Sequence, residues 1–194
     1  MMSFVVVFFP LYIWFTESVL FNNSFSFVDI FPAFGLIAFS VMWLHIIGGS
    51  FKTKLSIYFD FEKFVSVSSK IVLISLILHP LLFLIFLWQM ENPLGLLDYV
   101  GQNNAYLIWL AIIAWLIFIS YDIVKKYQKR DFFAKHWQII RLVSTLAFFL
   151  VFFHSLGLGR NLQVGFLRYV WFFYGLTALI ATIYTYFIRR EDSD

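Results

Sequence analysis

Five stretches of this chain run for about twenty residues without an Asp, Glu, Lys or Arg, roughly the length a helix needs to cross the hydrocarbon core of a bilayer. They are the interiors of Asp29–Lys52, Lys70–Glu91, Asp98–Asp122, Arg141–Arg160 and Arg168–Arg189. Their apolar residues are continuous rather than alternating, which argues against a membrane barrel. A soluble domain is nearer half apolar and a quarter charged. Here the figures are 62% hydrophobic and 13% charged, and a chain of this size cannot bury five such runs in one another. The sequence therefore predicts an all-α, polytopic membrane helical bundle.

The N-terminal segment adds a sixth apolar run from Phe4, with Pro10 inside it and Glu17 near its end. It lacks a charged leading region and a small-residue cleavage site, so it reads as a retained first helix rather than a removable signal. Six transmembrane helices are expected, at about 4–20, 31–50, 67–89, 103–124, 138–156 and 166–188, within one domain over 1–194. No internal repeat or low-complexity tract is visible.

The cations set an orientation. Of fourteen Lys and Arg, Lys52, Lys54, Lys63, Lys70, Lys125, Lys126, Lys129, Arg130, Lys135, Arg141, Arg189 and Arg190 fall on one side of this topology. Only Arg160 and Arg168 fall on the other. Positive loops stay in the cytoplasm, so both termini are expected there. The loops around Glu91–Asp98 and Gly157–Arg168 are expected outside. The net charge of +3 belongs to these loops and implies no nucleic-acid partner. The absence of cysteine excludes disulfides, iron–sulfur clusters, thioether-linked haem and dithiol relays.

Ionisable side chains inside a span are costly and mark function or a buried pair. Of four histidines, His136 lies in a basic loop and reads as solvated, while His45, His79 and His154 lie within spans. Counting along helices at 1.5 Å per residue puts His79 and His154 each some 18–20 Å above the cytoplasmic boundary. Two neutral imidazoles at one depth on different helices suit the two faces of a single haem iron. The plainer alternative is that each hydrogen-bonds a neighbouring helix and binds nothing. Pro80 follows His79 and disfavours its helical conformation, which can turn the ring inward, although proline is also tolerated in membrane helices. His45 lies near the cytoplasmic end beside Gly48 and Gly49. A hydrogen-bonding role fits it better than a role at an inner cofactor. Phosphate loops, nucleophile elbows and zinc His-Glu motifs are absent.

Two segments carry a resemblance. Ser69–Leu84 (SKIVLISLILHPLLFL) and His136–Gly159 (HWQIIRLVSTLAFFLVFFHSLGLG) resemble the third and fifth helices of the ferric reductase-like transmembrane family. That family includes the haem subunit of the periplasmic methionine sulfoxide reductase and the membrane domains of ferric reductases and NADPH oxidases. Trp137, His154 and Gly157 match its fifth-helix pattern, and Ser120 matches a serine often found on the fourth. The resemblance spans about residues 30–188. It implies one b-type haem per chain held by His79 and His154 as axial ligands. Arg141 and Ser66 stand where two-haem members carry the inner histidines, so no conventional inner pair is implied. Arg141 could meet a haem propionate or a lipid phosphate, or serve as an interfacial anchor.

The expected function is transmembrane electron transfer from a separate cytoplasmic or membrane donor. The expected acceptor lies at the outer face: ferric iron, a partner oxidoreductase or dioxygen. The chain would sit among the lipids of a cell membrane, with a bacterial plasma membrane expected. No residue is assigned a catalytic role. A flavin, a quinone or a haem near His45 would be needed to serve the inner half. The rival class is a non-redox transporter, channel or assembly scaffold, but polar residues within the spans are sparse.

Overall fold

The computed structural model describes residues 2–20, 30–89 and 101–189. The segment around Glu91–Asp98 and the side chain of Arg190 lie outside the described residues. Among those described there is no strand. The helices are α1 (Met2–Phe15), α2 (Phe31–Ser50), α3 (Lys52–Leu55), α4 (Phe61–Gln89) and α5 (Ala105–Lys125). They continue as α6 (Asp131–Lys135), α7 (Trp137–Leu158), α8 (Arg160–Gln163) and α9 (Phe166–Ile183), and a π-type turn, Tyr184–Ile188, extends α9.

Five of these helices are long and apolar enough to cross a bilayer: α2, α4, α5, α7 and α9 with its extension. The remaining expected span is the N-terminal segment. It is a shorter apolar helix that loosens into a π-type turn at Thr16–Leu20. A difference from expectation lies at the start of α4. The charge-free run begins after Lys70, yet the helix starts at Phe61, because the Asp60 carboxylate accepts the Lys63 backbone N–H at 2.9 Å and caps it. The Lys52–Glu62 ion pair beside it is solvent-exposed and adds little stability.

Two antiparallel hairpins organise the bundle. α4 packs along α2, and α7 packs along α5. α9 lies against α2 and α7, and α1 covers α2 and α9. Lipid gives helices no hydrophobic drive to associate, so close contact depends on small residues and ring packing. Ala114, Ala147 and Ala178 are fully buried. The Phe39 ring is stacked between Phe148 (4.4 Å) and Trp171 (4.3 Å) at the junction of α2, α7 and α9. Outward-facing Ile74, Leu84, Trp109, Leu116, Leu176 and Ile180 stay exposed, as a lipid-facing surface requires.

Polar bonds secure α9. Trp43 Nε1 donates to Thr177 Oγ1 at 2.9 Å, and the Ser50 hydroxyl meets the Ala181 carbonyl (3.1 Å) and Thr185 (2.6 Å). At the opposite end Gln163 Nε2 donates to the carbonyls of Leu156 (3.0 Å) and Gly157 (2.9 Å), closing the end of α7. Gly165 adopts φ 94° to start α9, a value glycine takes without steric cost. Asn161 is tied there to Ser18 and Glu17.

Pro10 inside α1 cannot donate to the carbonyl four residues back, which is Val6. The Tyr174 hydroxyl of α9 donates to that carbonyl at 2.8 Å. With no water in the hydrocarbon region to replace it, Tyr174→Phe is expected to cost about 1–3 kcal/mol. Thermal unfolding in detergent measures this loss. Combining it with Pro10→Ala, which returns the helix's own donor, is expected to remove most of the cost.

Candidate functional site

His79 sits on α4 and His154 on α7, the returning helices of the two hairpins, and both rings are half-buried. Each ring is held the same way. His79 Nδ1 donates to the carbonyl of Phe31, the first residue of α2, at 2.8 Å. His154 Nδ1 donates to the carbonyl of Leu107, in the first turn of α5, at 2.9 Å. A carbonyl only accepts, so Nδ1 carries the proton in both rings. In the neutral imidazole that leaves Nε2 with its lone pair. This is the tautomer and orientation that a backbone carbonyl gives to a metal-ligating histidine.

The surroundings keep each ring in place. Gly35 of α2 lets the His79 ring lie against the backbone, since a Cβ there would fall 3.1 Å from both Cε1 and Nδ1. The Phe31 ring lies 5.6 Å from the imidazole. On the other hairpin, Gly157 receives the side chain of Leu107, whose Cδ1 occupies the space that a Cβ would need. Among the described residues α4 and α7 share no extended backbone contact, their close packing being within the hairpins.

The sequence shows no internal repeat, yet the two hairpins place one histidine each at corresponding points. The ring-to-carbonyl bonds span 48 and 47 residues of chain. Both accepting carbonyls lie in first turns at the same end of the bundle.

The structure does not bring His45 to this pair. It lies about 20 Å further along α2 than Phe31. Its Nε2 is 2.7 Å from Ser68 Oγ, and Ser68 itself donates to the Phe64 carbonyl at 2.7 Å. With the serine hydrogen used, His45 Nε2–H is the donor. Arg141, half-buried at the basic end of α7, is also about 20 Å along the helix from His154. Trp137, one turn before it on α7, is stacked on Tyr121 of α5 at 5.7 Å. Ser66 is exposed near the start of α4, and Ser120 is exposed on α5. His136 bonds the Phe132 carbonyl at 2.8 Å in the exposed basic loop.

Among the described residues no three His, Cys, Asp or Glu side chains gather to hold a bare metal ion. Each of the two imidazoles instead offers one Nε2 lone pair, the donor type that a haem iron accepts from histidine. An apolar groove of about 370 Å³ lies elsewhere, between α1, α2 and α9, lined by Val5, Val6, Phe9, Trp43 and Tyr174 among others. No family model, curated protein or solved structure matches the chain.

Sequence reasoning missed Gly35 and the two accepting carbonyls. Backbone acceptors leave no trace in residue identity, and Gly35 gave no signal beyond its small size.

Proposed function

We propose that the chain is a haem b electron-transfer protein of the cell membrane, with six spans and both termini in the cytoplasm. The observation that supports it is the matched pair of imidazoles, each fixed through Nδ1 to a first-turn carbonyl with Nε2 left free. His79 and His154 would hold the haem as axial ligands, and when bound the haem supplies one-electron chemistry. The chain's own residues fix the two ring orientations, and the Phe31 ring lies beside His79. They also place the pair near the end of the bundle opposite the basic loops, which suits delivery to an acceptor outside. The donor is a separate protein or membrane carrier. A flavin or quinone serving the inner half remains part of the proposal, with His45 and Arg141 as the polar groups available there.

The absorption spectrum of detergent-purified protein tests the class. Sharp, reducible low-spin bands at one haem per chain are expected, and their absence after haem supplementation overturns the reading.

The orientation has its own test, made simple by the lack of cysteine. Single cysteines at the exposed positions Arg160→Cys and Gln128→Cys are treated in intact cells with an impermeant maleimide. Position 160 is expected to react at once and position 128 only after permeabilisation. The reverse pattern would invert the topology.

A further inference from the structure

We infer that Trp115 is a positioning residue for His79, acting through the backbone carbonyl that Pro80 leaves without a donor. The inference rests on the proposed haem site for its functional meaning. Its structural core can be tested without haem.

In an unbroken helix the N–H of residue 80 would bond the carbonyl of Leu76. Proline has no N–H, so inside α4 that carbonyl loses its partner. An unpaired carbonyl at this depth is costly because the bilayer offers no water. Trp115, on α5, donates its indole Nε1–H to the Leu76 carbonyl at 3.0 Å. The partner comes from the other hairpin.

Position gives this bond its consequence. Leu76 lies one turn before His79 on α4. Trp115 lies about two turns beyond Leu107, whose carbonyl orients His154. A single hydrogen bond thus joins the turn that carries one imidazole to the helix that aims the other. Among the described residues α4 and α5 share no extended backbone contact, so their spacing here depends on side chains. Pro80 also restricts the conformation of His79 directly. Proline and indole act together, one freeing the acceptor and the other using it to set the distance between the hairpins.

The experiment is a double-mutant cycle. Trp115→Phe keeps a ring but removes the donor, and Pro80→Ala restores the helix's own donor to Leu76. In the haem-loaded protein, Trp115→Phe is expected to lower haem retention at limiting haem by about tenfold, as loss of an outer-shell partner does. It is also expected to shift the midpoint potential and the low-spin electron-paramagnetic signature. In the Pro80→Ala background the same substitution is expected to change these readouts little. Equal effects in both backgrounds, or unchanged potential and spectrum, overturn the inference. If the wild-type protein takes up no haem, the haem reading fails and the positioning claim is read from distances. Spin labels at the exposed positions Ile74→Cys and Ile113→Cys are expected to give a broadened α4–α5 distance distribution on Trp115→Phe, but not in the Pro80→Ala background. An unchanged distribution sinks the positioning claim by itself.

Discussion

Alanine at position 79, or at position 154, is expected to strip the purified protein of its low-spin haem spectrum. The loss should exceed the roughly 10–100-fold that removal of an outer-shell partner costs, because on the proposed reading a ligand itself is gone. Any haem still bound to one imidazole would show high-spin bands. The fold should survive, since the carbonyls of Phe31 and Leu107 keep their places in α2 and α5. Far-ultraviolet circular dichroism of each variant checks this. His45→Ala and His136→Ala serve as controls and are expected to keep the spectrum. His45 is engaged with Ser68, about 20 Å away along the helix axis, and His136 with Phe132 in the basic loop. A spectrum lost in His45→Ala and kept in His154→Ala would move the haem to the other half of the membrane.

The second large effect is expected at Gly175 of α9. A Cβ there would lie 2.5 Å from both Cε2 and Cζ of Phe152. That ring has little room to move, being buried beside Phe39 and Phe172. Overpacking of this kind costs about 1–3 kcal/mol. For a chain of this length that is a fall in melting temperature of roughly 2–12 °C. Gly175→Ala should therefore melt measurably earlier in detergent. Shortening the opposing ring in Phe152→Leu should recover part of the loss, and an additive double mutant would show that the two residues do not press on one another. The glycine matters because helices in lipid gain stability from close approach rather than from leaving water.

The long helices were legible because a bilayer imposes length and hydropathy on whatever crosses it, and α2, α5, α7 and α9 start within a few residues of where the apolar runs put them. The exceptions follow from forces other than hydropathy. α4 begins well before its charge-free run because Asp60 caps it. The first helix is shorter than the five long ones, and Glu17, which interrupts its apolar run, meets Asn161 at the bundle end. Within the candidate site, residue counting set His79 and His154 at a common depth, and the structure holds both by first-turn carbonyls at one end of the bundle. Which carbonyls hold the rings was not legible, because that depends on the register of each antiparallel neighbour. Pro80 announced that some donor must reach Leu76, but nothing in the sequence singled out Trp115. The correspondence between the hairpins was hidden as well, being a likeness of backbone placement without a likeness of residues.

Each imidazole takes its aim from within its own hairpin, and this bears on biogenesis. The Phe31 carbonyl can engage the first ring as soon as α2 and α4 have left the insertion machinery, and the Trp115 brace follows once α5 is made. The second ring is set in the same way, without reference to the first. On the proposed reading, the porphyrin would then meet two finished half-sites late in assembly and act as the rivet between them, with no need to template either one.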